Sequence, residues 1–283
     1  MTPDPRPAPG DGVLQAGERL RLPFRLGTTS YIIPDDILPN LDHLAGRVDD
    51  VELVLFESDE FSNMPTPDDV DTMARVGREA NLSFTVHLPL DTRLGSDDEG
   101  DRVASVGKCR RVMERMAPLA PFAWILHLHG DRRGTTPTDD MPRWLRQNAR
   151  SLEELLSDGV ASRRVCVETL DYDFGLLTDL VERFDTSVCL DLGHLLVYGR
   201  DIPAHLERWG DRARVYHLHG VRPDGTDHAH LAQFPPDMLR RLATMLAERA
   251  DRDATVVTLE VFGEDDFERS IETVREVLVP WHM

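Results

Sequence analysis

The segment TSVCLDLGH, residues 186–194, joins a β-rich apolar run to an aspartate and a histidine at its end. Two neighbouring segments share this design, RVCVETL at residues 164–170 and RVYHLHG at residues 214–220. Near-continuous apolar runs of this length are typical of parallel strands that are covered on both faces. The three segments therefore predict consecutive parallel strands, each carrying an ionisable side chain near its end.

Five further segments of the same kind complete a regular pattern along the chain. They are FRLGTTSY from Phe24, DVELVLFE from Asp50, SFTVHLP from Ser83, AWILHLHG from Ala123 and TVVTLEVF from Thr255. Helical segments alternate with them, as in TPDDVDTMARVGREA, where Thr66 is a candidate N-cap and Pro67 takes the first helical position. Eight strand-then-helix units indicate a closed barrel or a large open sheet. No Gly-x-Gly-x-x-Gly motif follows the first strand, so a dinucleotide-binding open sheet lacks support.

We therefore predict an α/β fold with a single (β/α)8 TIM barrel, which forms one catalytic domain over residues 24–283. The Pro-rich start, MTPDPRPAPGDG, has no apolar segment of the kind found in signal peptides. Residues 1–23 are expected to form a disordered tail. No stretch approaches the length of a membrane-spanning helix, and we expect a cytoplasmic location without membrane partners.

The charge balance excludes several classes of function. The chain has 51 acidic and 32 basic residues, and its net charge of −19 repels nucleic-acid backbones, so no nucleic-acid partner is expected. Lys108 is the only lysine and belongs to no Gly-Lys-Ser/Thr motif, which argues against Schiff-base enzymes and P-loop enzymes. The three cysteines form no Cys-x-x-Cys pair, and their odd number predicts no disulfide framework.

In a (β/α)8 barrel the functional groups gather where the strands end. Here the strand ends and following loops carry histidines and acids at Glu57, His87, His127, His129, Glu168, Asp191, His194, His217, His219, Asp227, His228, His230 and Glu260. Cys166 and Glu168 share a strand face, as do Cys189 and Asp191. If the small cysteines fill the barrel interior, both acids point inward above them, and a cation removes the cost of burying them.

Simpler interpretations compete with a metal site. A lone strand histidine is more often a satisfied core residue, and Glu57 is equally consistent with a carboxylate that anchors a loop. Asp227 is more consistent with a turn residue, or with a residue that contacts a ligand, than with a metal ligand. The succession of strands that all end in ligating groups nevertheless favours a metal site. Imidazole and carboxylate ligands suit divalent ions, Zn or Mn foremost. There are more candidate ligands than one ion needs, so the sequence predicts a site for one to three metal ions. A site with several ions suits the hydrolysis of phosphate esters.

The series of strand-end residues resembles the xylose isomerase-like barrel superfamily, and the match spans nearly the whole barrel. This superfamily includes sugar isomerases and epimerases as well as the endonuclease IV type of DNA-repair phosphodiesterase. The one-metal isomerase pattern corresponds to Glu168, Asp191, His217 and Glu260. The three-metal phosphodiesterase pattern adds histidines at positions like His87, His127, His194 and His230.

The resemblance implies a role for each candidate. Glu168 and Glu260 would bridge metal ions and take part in catalysis. The remaining ligands would serve three ions in turn: His87 with His127, Asp191 with His217, and His230 with His228 or Asp227. The endonuclease has an aspartate at the position of His228, so the chain departs from the pattern there. His129 and His219 lie where the endonuclease has small or amide residues, and they would act in catalysis as donors to a phosphate.

Longer segments are similar to one branch of this superfamily, the CbiR family of cobamide-remodelling phosphodiesterases. These segments are LGTTSYIIPDDILPN (26–40), VELVLFES (51–58), YHLHG (216–220) and TDHAH (226–230). The resemblance implies hydrolysis of the phosphoester in the nucleotide loop of an adenosylated cobamide. The products would be adenosylcobinamide phosphate and an α-riboside.

The loops after the first, second and sixth strands are rich in apolar and aromatic residues. They suit a small-molecule substrate such as a corrinoid or another phosphoester, with Tyr31, Glu57 and Tyr198 as candidate substrate-binding residues. Two alternatives stay open. One is a one-metal sugar or sugar-phosphate isomerase or epimerase of the same superfamily, and the other is a barrel that binds a ligand without catalysis.

Overall fold

The strands close into one barrel. A computed structural model describes residues 19–58, 61–157, 159–249 and 251–278. Each strand pairs in parallel with the next, and the last strand pairs in parallel with the first. The strands are β1 (Arg25–Thr29), β2 (Asp50–Val54), β3 (Ser83–His87), β4 (Ala123–Leu126), β5 (Val165–Glu168), β6 (Ser187–Asp191), β7 (Ala213–Leu218) and β8 (Val256–Leu259). The predicted (β/α)8 barrel is confirmed.

Helices cover the outside of the barrel and follow the signals that predicted them. They are α1 (Ile37–Leu44), α2 (Pro67–Ala80), α3 (Glu99–Met116), α4 (Met141–Leu156), α5 (Thr178–Arg183), α6 (Leu192–Val197), α7 (Ile202–Trp209), α8 (Pro236–Ala247) and α9 (Glu264–Leu278). Thr66 caps α2 through a reciprocal capping box with Asp69. In α9, Phe267 and Ile271 are buried on one face of the helix. Among the described helices, none combines the length and apolar character needed to cross a membrane.

The barrel interior has its own small apolar core beneath the polar strand ends. It consists of Ala123, Ile125, Cys166, Cys189 and Val215. The two cysteines therefore point inward, which is the condition under which the sequence predicts inward-pointing acids above them. Because side chains alternate along a strand, Glu168 and Asp191 point inward one layer higher, at the ends of β5 and β6.

Several predicted strand segments run past the ends of the observed strands. β7 ends at Leu218 and β8 at Leu259, so His219 and Glu260 lie just beyond their strands. β2 ends at Val54, so Glu57 lies on the following loop rather than at the strand end. β4 ends at Leu126, which places His127 and His129 just beyond the strand. The segment after β2 leaves the sheet early because the loop that follows takes its hydrogen bonds: the Phe56 N–H donates to the side chain of Asn63.

The start of the folded domain also needs correction. Leu20 and Leu22 are buried in the main core between sheet and helices, because these apolar side chains pack there with the first strand. The packed chain therefore begins before residue 24. The rest of the predicted tail, residues 1–18, lies outside the described residues.

Candidate metal centre

Four buried side chains converge at the carboxyl ends of β5 to β8. This central group consists of Glu168, Asp191, His217 and Glu260, each with one ligand atom within 4.8 Å of the others. His217 Nδ1 lies 3.4 Å from Glu168 Oε1 and 3.2 Å from Glu260 Oε2. Four strands thus aim their ligand atoms at one point.

The facing atoms of the central group are buried and make no hydrogen bond of good geometry, although Asp191 Oδ2 forms an ion pair with His194 Nδ1. These facing atoms are Glu168 Oε1, Asp191 Oδ2, His217 Nδ1 and Glu260 Oε2. Buried polar atoms without a partner are rare and costly. A divalent cation among them would satisfy all four atoms at once, and imidazole with carboxylate is a ligand set that Zn and Mn accept. The residues therefore fit a metal ion.

A second group of ligands, the side group, shares Glu168 with the first. It consists of His87, His127 and Glu168. Glu168 Oε2 lies 2.8 Å from His127 Nε2 and 3.3 Å from His87 Nε2. Glu168 therefore directs Oε1 to the central group and Oε2 to the side group. A carboxylate held in this way can bridge two cations.

Hydrogen bonds on the far ring nitrogens orient two of these histidines. His87 Nδ1 lies 2.9 Å from the carbonyl oxygen of Leu88, which can only accept, so Nδ1 carries the proton. The Nε2 lone pair of His87 then faces Glu168. His217 Nε2 lies 2.9 Å from Glu52 Oε2 in the same manner. Each ring thus offers an unprotonated nitrogen to its group.

Sequence reasoning missed Glu52, because it assigned the functional acid of the second strand to Glu57. The signal was present in DVELVLFE, where Asp50 and Glu52 are acids two positions apart within an apolar strand. That spacing places both on one face. Both side chains are fully buried, and a carboxylate oxygen of Glu52 lies within 4.8 Å of ligand atoms of His87 and Glu260.

A third group, the histidine group, lies on the side of β6 and β7. It consists of His194, His219 and His228. Asp191 is the N-cap of α6 and accepts the His194 N–H at 2.8 Å, which places His194 beside the central group. The rings of His219 and His228 stack with centroids 4.3 Å apart. The structure thus brings His228 into the group, whereas Asp227 only contacts it from outside.

His219 is oriented as a hydrogen-bond donor. Two backbone groups face His219 Nδ1, the N–H of His228 at 3.0 Å and the carbonyl oxygen of Gly220 at 3.2 Å. The closer group, the N–H, donates to Nδ1, so a neutral His219 carries its proton on Nε2. That Nε2 lies 3.4 Å from Asp191 Oδ1. In this arrangement His194 and His228 are left as the candidate ligands of the histidine group.

Charge pairing outweighs the effect of burial on the pKa of Glu168, Glu260 and His194, whereas burial dominates at His127 and lowers its pKa. Burial opposes ionisation of Glu168 and Glu260, yet the neighbouring histidines hold the pKa of both carboxyls well below the usual range. Burial also lowers the pKa of His194, but the charge of Asp191 overcomes it and raises that pKa to about 10. The carboxylates are therefore charged at neutral pH, which is the state that binds a cation.

His230, a predicted ligand, does not lie in any of the three groups. Its Nε2 lies 3.4 Å from Arg269 Nη1, and its backbone N–H donates to Asp266, so it contacts α9. The reason is the backbone between the two histidines. His228 has a positive φ of 52°, and Ala229 forms a bridge with Gly220, which turns His228 toward the site and His230 away from it.

The other sequence candidates surround the three groups. Glu57 accepts hydrogen bonds from Ser62 and Arg111, and it therefore anchors the loop after β2. The buried ring of His129 lies 5.5 Å from that of His127, beside the side group. Tyr198 places its ring 6.2 Å from that of His194. Tyr31 accepts a hydrogen bond from Asn63.

Comparison with known proteins gives the family. The family model of the xylose isomerase-like TIM barrel matches residues 45–278. A D-tagatose 3-epimerase-like protein superposes with a TM-score of 0.70 at 17% identity, covering 90% of this chain and 97% of that one. Endonuclease IV from Thermus thermophilus gives a TM-score of 0.65 at 20% identity, covering 89% of this chain and 98% of that one.

A third solved structure, the IOLI protein with a zinc atom bound, gives a TM-score of 0.65 at 14% identity, covering 91% of this chain and 99% of that one. At these identities the structural likenesses show the fold alone. Sequence comparison with curated proteins finds no match. Since the family model covers most of the chain, the protein belongs to the xylose isomerase-like TIM barrel family.

Proposed function

We propose that the protein is a metal-dependent phosphodiesterase that hydrolyses the nucleotide-loop phosphoester of adenosylated cobamides. The observation that carries the hydrolase assignment is the position of Glu168 between two sets of ligands. Its Oε2 contacts His127 and His87, while its Oε1 faces His217. Two adjacent cations can bind there, and paired cations suit the displacement of a group from phosphorus.

A one-metal sugar isomerase or epimerase is the second candidate. The central group alone is sufficient for one ion, and a D-tagatose 3-epimerase-like protein shares the fold. A single ion, however, leaves His87 and His127 without a function beside Glu168. It also leaves unexplained why His194 and His228 lie within ligand distance of one another. These additional ligands favour the phosphodiesterase.

In the proposed reaction water adds to phosphorus and the bond to the riboside oxygen breaks. The products are a phosphate monoester on the cobinamide and a free hydroxyl on the α-riboside. Divalent ions in these groups would neutralise the phosphodiester and make a water molecule more acidic. His219 donates from Nε2 and His129 lies beside the side group, and we propose that both donate to phosphate oxygens.

The rim of the site supports a large, partly apolar substrate. Phe61, Leu90, Tyr198 and Phe262 are exposed on the loops that follow β2, β3, β6 and β8. Phe262 is 47% exposed although its ring lies 5.3 Å from that of His228. Exposed apolar side chains beside a polar site mark a ligand surface. A corrinoid with its attached base offers such a surface, whereas the net charge of −19 disfavours DNA.

The test is incubation of the metal-loaded protein with adenosylcobalamin, followed by identification of the products by mass. We expect adenosylcobinamide phosphate and the α-riboside. Ketohexoses and their phosphates are incubated in parallel. Intact adenosylcobalamin together with an epimerised sugar would establish the isomerase instead. If neither substrate turns over while the metal content is full, the barrel binds a ligand without catalysis.

A further inference from the structure

A buried carboxylate supports the central group from below. Glu52 lies on β2, two strands away from β8 around the barrel, and its side chain points into the barrel interior. Its Oε2 lies 2.9 Å from His217 Nε2 and 3.5 Å from the hydroxyl of Thr258. Glu52 and His217 are both fully buried. The contact joins residues from opposite parts of the chain inside the barrel.

This contact decides which nitrogen of His217 can bind a cation. A carboxylate only accepts hydrogen bonds, so the proton of a neutral His217 lies on Nε2. The lone pair is then on Nδ1, which faces Glu168 Oε1 and Glu260 Oε2 at 3.4 and 3.2 Å. Rotation of the ring would lose the bond to Glu52, and the other tautomer would place a proton between the ligands.

We propose that Glu52 is a positioning residue that fixes the tautomer and orientation of His217 as a ligand of the central ion. The proposal rests on the metal site of the proposed function, but it does not depend on the substrate. Outer carboxylates of this kind raise the basicity of a ligating imidazole, and their loss weakens metal binding by about 10–100-fold.

A purely structural role for Glu52 is the competing explanation, and the chain offers a matched control. Asp50 lies on the same strand and the same face, one layer deeper, and it is also fully buried. Its partner is the hydroxyl of Ser83 rather than a candidate ligand. A change at Asp50 therefore perturbs the barrel interior without touching His217.

The experiment compares the full-length Glu52→Leu, Glu52→Gln and Asp50→Asn variants with the unaltered protein. The dissociation constants of Zn²⁺ and Co²⁺ are measured in competition with a chromophoric chelator, and the visible absorption of the Co²⁺ form is recorded. For Glu52→Leu we expect binding about 10–100-fold weaker and an altered Co²⁺ spectrum. Glu52→Gln should show a smaller loss, because the amide oxygen still accepts from Nε2. Asp50→Asn should match the unaltered protein.

Unchanged affinity and an unchanged Co²⁺ spectrum in the Glu52 variants would overturn the proposal. An equal loss in Asp50→Asn would overturn it too, since the effect would then be structural. If Glu52→Leu does not fold, the metal affinity and Co²⁺ spectrum of Glu52→Gln test the proposal instead, because glutamine has nearly the same shape as glutamate. Failure to cleave cobamides would refute the proposed substrate and leave this result standing. Failure of the unaltered protein to bind either ion would overturn both.

Discussion

The ring of His219 occupies the space that a side chain at Gly193 would need. A Cβ atom built on Gly193 would lie 2.3 Å from His219 Nε2, closer than any tolerated contact. Gly193 belongs to the Asp-Leu-Gly-His segment at the start of α6, between Asp191 and His194. The glycine therefore allows a residue of the histidine group to lie directly against the turn that positions the other site residues.

Gly193→Ala should displace the His219 ring and lower activity while the cation ligands stay in place. We expect a loss of about 1–3 kcal/mol in the free energy of unfolding from the overpacking. In the His219→Ala background, Gly193→Ala should cost much less stability, because the ring that it would displace is gone. Denaturant unfolding of the unaltered protein, Gly193→Ala, His219→Ala and the double variant forms a double-mutant cycle. Additive losses in that cycle would show that the two positions do not interact.

His219→Ala alone should separate substrate contact from metal binding. Since its proton lies on Nε2, His219 donates rather than ligates in this structure. Metal content should persist in this variant, while turnover of the phosphodiester falls by about 10–1,000-fold, as for other lost donors to a developing oxyanion. Elemental analysis beside the rate measurement checks this. A stoichiometric loss of one ion would instead make His219 a ligand.

Glu168→Gln should cut activity by orders of magnitude and leave the fold intact. The amide keeps the shape of the side chain but removes the charge that two groups of ligands share. We expect both adjacent ions to bind more weakly in this variant, measured by elemental analysis after dialysis. A variant that retains every ion and full activity would rule out the bridging role. Circular dichroism confirms that the barrel is folded.

His228 and His230 should differ in their effect on metal content. His228 lies in the histidine group, whereas His230 contacts Arg269 and Asp266 of α9. His228→Ala is expected to lower the number of bound ions, and His230→Ala is expected to preserve it. The reverse outcome would mean that the loop after β7 rearranges when metal binds. Both variants are compared by metal titration under the same conditions.

Asp50 should make stability depend on pH in an unusual direction. Burial raises the pKa of its carboxyl from 3.8 to about 6, against the lowering effect of the hydrogen bond from Ser83. Because the folded pKa is the higher one, the protonated form stabilises the fold. That stability is complete below about pH 4 and is lost as the pH rises through about 6, a total of about 3 kcal/mol.

Asp50→Asn removes this dependence. Relative to the unaltered metal-free protein, the variant should therefore gain stability as the pH rises from about 4.5 to about 7.5. Urea unfolding of both proteins across that range checks it, and the other titrating groups cancel in the difference. A difference that stays constant with pH, or that falls, would contradict the assignment.

Most of the fold and much of the site could be predicted from the sequence, for identifiable physical reasons. Buried parallel strands are apolar on both faces, so segments such as Val165–Glu168 stand out from the helices around them. Alternation along each strand then placed Cys166 inside the barrel and Glu168 above it. The ligands of the central group followed because parallel strands bring their carboxyl ends together.

Other parts of the site depend on contacts that no local pattern contains. Glu52 can be recognised as a site residue only from its contact with His217, which lies 165 residues further along the chain. His228, and not His230, lies in the histidine group because of a positive φ at His228 and the bridge between Ala229 and Gly220. Glu57 was placed at a strand end, but the loop turns it toward Arg111.

The central claim is that Glu168 bridges two cations. Crystals of the zinc-loaded protein, measured with anomalous diffraction at the zinc edge, test this directly. The account predicts two peaks about 3.5–4 Å apart, one among Glu168, Asp191, His217 and Glu260 and one beside His87 and His127. A single peak within the central group, with His87 and His127 free of metal in fully loaded crystals, would contradict the bridging role and favour the one-metal isomerase.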